Sequence, residues 1–125
     1  MCHQTVSLVA RHLEENGIPT VIMGSARDIV EECGVARFLF TDFPLGNPCG
    51  RPWDADMQRE IAGAAIDLLE HAWAPRTTVQ TPFRWPDEDW RRKFMLVDES
   101  NREALAKAGE ERRRFQKKKG TDLSF

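Results

Sequence analysis

Residues 18–41 read IPTVIMGSARDIVEECGVARFLFT, and this stretch decides the fold. Ile18 to Met23 is a short apolar run whose proline stands near its start, where a strand tolerates one. Gly24-Ser25 turns the chain. Ser25 with Asp28 forms the S-x-x-D pattern of a helix N-cap, Ile29, Val30 and Cys33 supply an apolar face, and Gly34 closes the helix. Val35 to Thr41 then has the aromatic and β-branched content of a second buried strand. Two strands joined through a helix imply a parallel pairing with a right-handed crossover, so the class is α/β.

Working outward, Thr5 to Asn16 places Val6, Val9, Ala10 and Leu13 at helical spacing, which predicts one buried stripe ended by Gly17. Asp42 to Arg51, D-F-P-L-G-N-P-C-G-R, has too many prolines and glycines for regular structure and reads as an ordered loop. A purely structural reading of that loop makes Leu45 the plug of the core. Asp54 caps a long helix with Met57, Ile61, Ala65, Leu68, Leu69 and Ala72 on one face. Arg76 to Thr81 is a candidate third strand. Pro86 with Asp87, Glu88 and Asp89 starts a helix carrying Trp90 and Phe94, and Ser100 with Glu103 opens the last one. The expected architecture is a small two-layer or three-layer α/β domain over residues 1–100, with a short parallel sheet of two or three strands and flanking helices. A C-terminal basic helix or tail follows over residues 101–125.

Composition narrows the class of function. A chain of 125 residues supports one hydrophobic core. No apolar stretch is long enough to cross a bilayer, and the first residues lack a basic cluster followed by an apolar run, so a cytoplasmic location is expected. The net charge of -2 hides an asymmetry: residues 1–101 carry 10 Lys/Arg against 16 Asp/Glu, and residues 102–125 carry 8 against 4. The basic run Arg112 to Lys119 has Phe115 as its one interleaved aromatic, which favours a solvated tail over a nucleic-acid surface. So small a sheet covers its core poorly, which points to a homodimer or a partner subunit.

The residues that could carry chemistry converge on the carboxyl edge of the sheet, where open parallel sheets bind small molecules. Cys2 stands just before the first helix, where unpaired N–H groups and the helix dipole favour a thiolate; the alternative is an ordinary thiol near the chain start. His3 could assist as a proton acceptor. Ser25 is either a plain helix cap or an anion contact, Asp42 a base or a turn residue, and Asn47 and Cys49 lie in the loop beside them. Three cysteines at wide spacings, Cys2, Cys33 and Cys49, argue for free thiols, with Cys33 a core residue. His12 and His71 lack partners at metal-ligand spacing, so no metal is expected, and nothing calls for a cofactor.

Cys2-His3-Gln4-Thr5 through Ala10-Arg11-His12-Leu13-Glu14, Gly17-Ile18-Pro19-Thr20-Val21, Gly24-Ser25 and above all Asp42-Phe43-Pro44-Leu45-Gly46-Asn47-Pro48 resemble the end portion of the selenoprotein B subunit of the glycine, sarcosine and betaine reductases and of the related proline reductase. The resemblance spans roughly residues 2–72. It implies reductive cleavage by a selenol or thiol that attacks carbon and displaces an amine, the adduct then passing to partner subunits. In the family the nucleophile sits at the strand-to-helix turn before the helix that matches Thr5 to Asn16, so the resemblance implies Cys2 as the nearest candidate. The leading reading adds Cys49 as a resolving or second thiol and Ser25, Asp42 and Asn47 orienting an anionic small-molecule substrate. Two other readings compete: a non-catalytic subunit that binds a partner through an uncovered strand edge, and a two-thiol enzyme that exchanges a proton at carbon as racemases do.

Overall fold

A computed structural model describes residues 2–94 and 96–121, with side chains through Gln116. The described chain divides into two compact units, one ending at Glu88 and the other beginning at Asp89. In the first unit the element order is α1 (Cys2–Glu15), β1 (Ile22–Gly24), α2 (Arg27–Cys33), β2 (Arg37–Phe40), α3 (Ala55–His71) and β3 (Thr77–Gln80). The three strands form one sheet in the order β1-β2-β3, all parallel, with Ile22 opposite Phe38 and Leu39 opposite Val79. The candidate third strand is therefore real, and the α/β class stands.

Side chains alternate along a strand, so β2 builds two cores. Phe38 faces one side and packs with Ile22, Ala10 of α1, Val30 of α2 and Val35, with Phe40 at the margin. Leu39 faces the other and packs with Ile61, Ala65 and Leu68 of α3, with Val79 and Cys49 beside them. The unit thus has three layers, α1 and α2 on one face and α3 on the opposite face. The strand order advances in one direction while α2 and α3 cover opposite faces, so the two parallel crossovers have opposite hands. One of them departs from the strong right-handed preference.

Several local expectations need correction. Ser25 does not cap α2; Ala26 occupies that position and offers no side-chain cap. In α1, Ser7 and Ala10 are buried while Val6 and Val9 are 45% and 52% exposed, so the helix turns a small, polar stripe to the sheet and tilts its valines outward. Leu45 is exposed; Phe43, 1% exposed, plugs the core with its ring edge-on to Trp85 at 5.2 Å. Other signals hold. Gly17 takes φ +79° in a Schellman motif, its N–H donating to Glu14 O and that of Ile18 to Leu13 O, both at 3.0 Å. Asp54 caps α3 by accepting from the Met57 N–H at 3.1 Å.

The second unit contains α4 (Asp89–Lys93) and α5 (Arg102–Thr121). Its last helix begins at Arg102, two residues after Ser100, and in the turn before it the Asp98 carboxylate accepts from the Ser100 and Asn101 N–H groups at 2.9 and 3.1 Å. Residues 112–116 of the basic run are exposed on α5. The side chains of Lys117 to Lys119, and residues 122–125 of the expected tail, lie outside the described residues. Among the described residues no helix is long and apolar enough to cross a membrane.

Candidate functional site

The opposite hands of the two crossovers shape the carboxyl edge. After β1 the chain leaves toward the face of α1 and α2, and after β2 it leaves toward the face of α3. Loops that part to opposite faces mark the place at a parallel sheet's carboxyl edge where ligands usually bind. Gly24-Ser25 forms the first wall of this edge and Thr41 to Phe43 the second. The Thr41 N–H donates to Gly24 O at 3.0 Å, so both walls start from the same rung of the sheet.

His3 brings the first turn of α1 to this edge. Its Nε2 accepts a hydrogen bond from the Ser25 N–H at 3.1 Å. The close approach depends on Gly24, because a Cβ there would stand 3.0 Å from His3 Cδ2, 3.1 Å from Nε2 and 3.1 Å from Phe38 Cε2. The Ser7 hydroxyl donates to His3 O at 2.7 Å, which fixes the backbone of the same turn. Cys2 is exposed, with its Sγ 3.9 Å from His3 Nδ1. The Ser25 hydroxyl is shut off from solvent and has no hydrogen-bond partner among the described residues.

The second wall is anchored on both sides of Asp42. Thr41 is fully buried and its hydroxyl accepts from that of Thr81 at 3.2 Å, while the Phe43 N–H folds back to Thr41 O at 2.8 Å. Asp42 is half-buried between these two fixed neighbours. Farther along, Asn47 closes its own turn, its main-chain and side-chain N–H groups both donating to Pro44 O at 3.2 Å. Cys49 packs beneath α3, with its thiol 3.7 Å from Gln58 O as donor. Both residues line an open cavity of about 270 Å³ with Gly46, Pro48, Gly50, Pro52 and Gln58.

Cys2, His3, Ser25 and Asp42 thus belong to the carboxyl edge of β1 and β2. Asn47 and Cys49 belong to a separate cavity on the α3 side, in whose lining Cys2 takes no part. Thr41, Thr81 and Phe43, which hold the second wall, were not singled out from sequence. An alternating apolar run ending in a threonine gives no sign that its hydroxyl will meet another strand. Among the described residues no group of three His, Cys, Asp or Glu side chains is arranged to hold a metal ion.

Comparison with known proteins gives one informative similarity. Over 84 residues the chain is 29% identical to the D-proline reductase subunit gamma of Acetoanaerobium sticklandii, a match covering 67% of this chain and 35% of that subunit. The chain therefore spans about a third of that relative's length. The similarity supports a relationship to the proline and glycine reductases and does not single out selenoprotein B. No protein-family model matches the chain, and no solved structure matches it.

Proposed function

We propose that this chain has a reductase-related function in which Cys2 is a thiolate nucleophile at the carboxyl edge of β1 and β2. The observation that carries the reading is the first turn of α1, where the Cys2 sulfur stands beside an imidazole tied to the β1 turn. The similarity to a proline reductase subunit supports the reaction class. The substrate is a small amino acid or amine. The sulfur gives its electron pair to a carbon of the substrate to form a C–S bond, the C–N bond breaks, and the nitrogen departs with the pair of the broken bond and takes a proton. Net reduction needs a second thiol, which attacks the sulfur of the adduct, forms a disulfide and releases the carbon as a carbanion that is then protonated.

Cys49 could supply that second thiol if its loop moved, but its packing beneath α3 favours a thiol from a partner subunit. Ser25 and Asp42 follow the carboxyl ends of β1 and β2, and the charge of Asp42 suits a substrate ammonium better than a carboxylate. The N–H groups of the α1 amino end suit the carboxylate. The test is to compare iodoacetate with iodoacetamide as alkylators of Cys2, in the folded chain and in the urea-unfolded chain. The reading predicts a several-fold higher preference for iodoacetate in the folded chain, lost at this position in Cys2→Ser. An equal preference in both states removes substrate orientation from the proposal.

The exposed valines of α1 favour a second reading, a subunit that docks a partner. Val6 and Val9 are 45% and 52% exposed on α1, and β1 stands at the end of the strand order, where an edge strand invites a partner chain. Light scattering distinguishes the two, because a stable monomer at high concentration argues against self-association through this face.

A further inference from the structure

We propose that His3 is a positioning residue locked in one tautomer, which offers its Nδ1–H to the Cys2 sulfur and holds the thiolate rather than taking a proton from the thiol. The inference rests on the functional reading of Cys2 and goes beyond it in assigning the work of the imidazole. A main-chain N–H can only donate, so the Ser25 amide at 3.1 Å requires a lone pair on His3 Nε2. In a neutral imidazole the proton must then sit on Nδ1. That nitrogen is the one 3.9 Å from Cys2 Sγ, within reach of a sulfur acceptor.

The surroundings keep the ring in this orientation. The bare Gly24 backbone lets the imidazole lie against β1, where any Cβ would collide with both Cδ2 and Nε2. Ser7 ties down the main chain of the same residue through a 2.7 Å hydrogen bond. A proton on Nε2 would face the Ser25 N–H head on, so the arrangement selects the tautomer that donates from Nδ1 and opposes the proton-acceptor role suggested by sequence. Independently of the ring, the buried Ser25 hydroxyl has no hydrogen-bond partner among the described residues, so one polar group in the same corner is left unused.

The test uses the full chain labelled with 15N. Long-range proton–nitrogen correlation, with the His3 signals assigned by their absence in His3→Gln, should show a protonated Nδ1 and an unprotonated Nε2. In His3→Gln a side-chain oxygen can still accept from Ser25, but no donor remains at the Nδ1 position. Cys2 alkylation in that variant should slow about tenfold, as for the loss of one hydrogen bond to a charged group, with the denaturation midpoint showing that the fold is kept. A protonated Nε2, or an unchanged Cys2 rate in folded His3→Gln, overturns the inference. The functional reading fails separately, if wild-type Cys2 shows no enhanced reactivity whatever the tautomer.

Discussion

Phe43 and Leu45 show at single-residue scale how the loop after β2 is held. Phe43 is fully enclosed and Leu45 is half exposed, so Phe43→Ala should cost about 3–5 kcal/mol in denaturant unfolding and Leu45→Ala within about 0.5 kcal/mol. Equal losses would show that the loop is not anchored through the ring. Composition alone does not separate the two, since both are apolar residues flanking a proline. The choice is made by the fold-back of the Phe43 N–H onto Thr41 O, which turns that side chain inward. Glu14 carries the pH dependence. Burial opposes its ionisation, but the Thr20 N–H and hydroxyl and the Arg37 guanidinium outweigh this and hold its carboxyl below the usual 4.5. Its folded value is thus depressed, so its stabilising contribution is complete above about pH 4.5 and is lost as the pH falls through the folded value. Glu14→Gln should therefore flatten the acid limb of the stability profile, and an unchanged limb would remove Glu14 from the account.

At the scale of elements, two helix starts make a natural comparison. Ala26 before α2 has φ -112° and ψ 84°, close to the -101° and 79° of Asp54, which caps α3 through the Met57 N–H. Ala26→Asp should supply the missing acceptor to the third residue on and raise stability by about 1 kcal/mol; a loss would show that the site excludes a carboxylate. The S-x-x-D signal misplaced this cap by one residue, because Ser25 is instead drawn to His3 through its main-chain amide. In α1 the periodicity was legible but its facing was not. His3, Ser7, Ala10 and Glu14 also recur at helical spacing, and it is they that approach the sheet. Hydropathy favours the valines, whereas close approach of helix to strand at Gly24 favours small and polar residues. The strands and α3 were legible because their buried faces are apolar in the ordinary way.

At the scale of the whole chain, the parallel sheet and its helices followed from the alternation of apolar segments and turn residues. The opposite hands of the two crossovers did not, since no local signal records the face to which a loop departs. That departure sends the two loops to opposite faces and separates the Cys2 corner from the Cys49 cavity. The account centres on a sulfur made reactive by its folded surroundings. Its most direct test is the alkylation rate of Cys2 by a neutral reagent at neutral pH, mapped by peptide mass spectrometry in the folded chain and again in the unfolded chain. Because Cys2 is exposed in both states, accessibility does not set the difference. The account predicts a faster reaction when folded, by about tenfold for one charge-assisted hydrogen bond to the thiolate; a folded rate equal to or below the unfolded rate would contradict it.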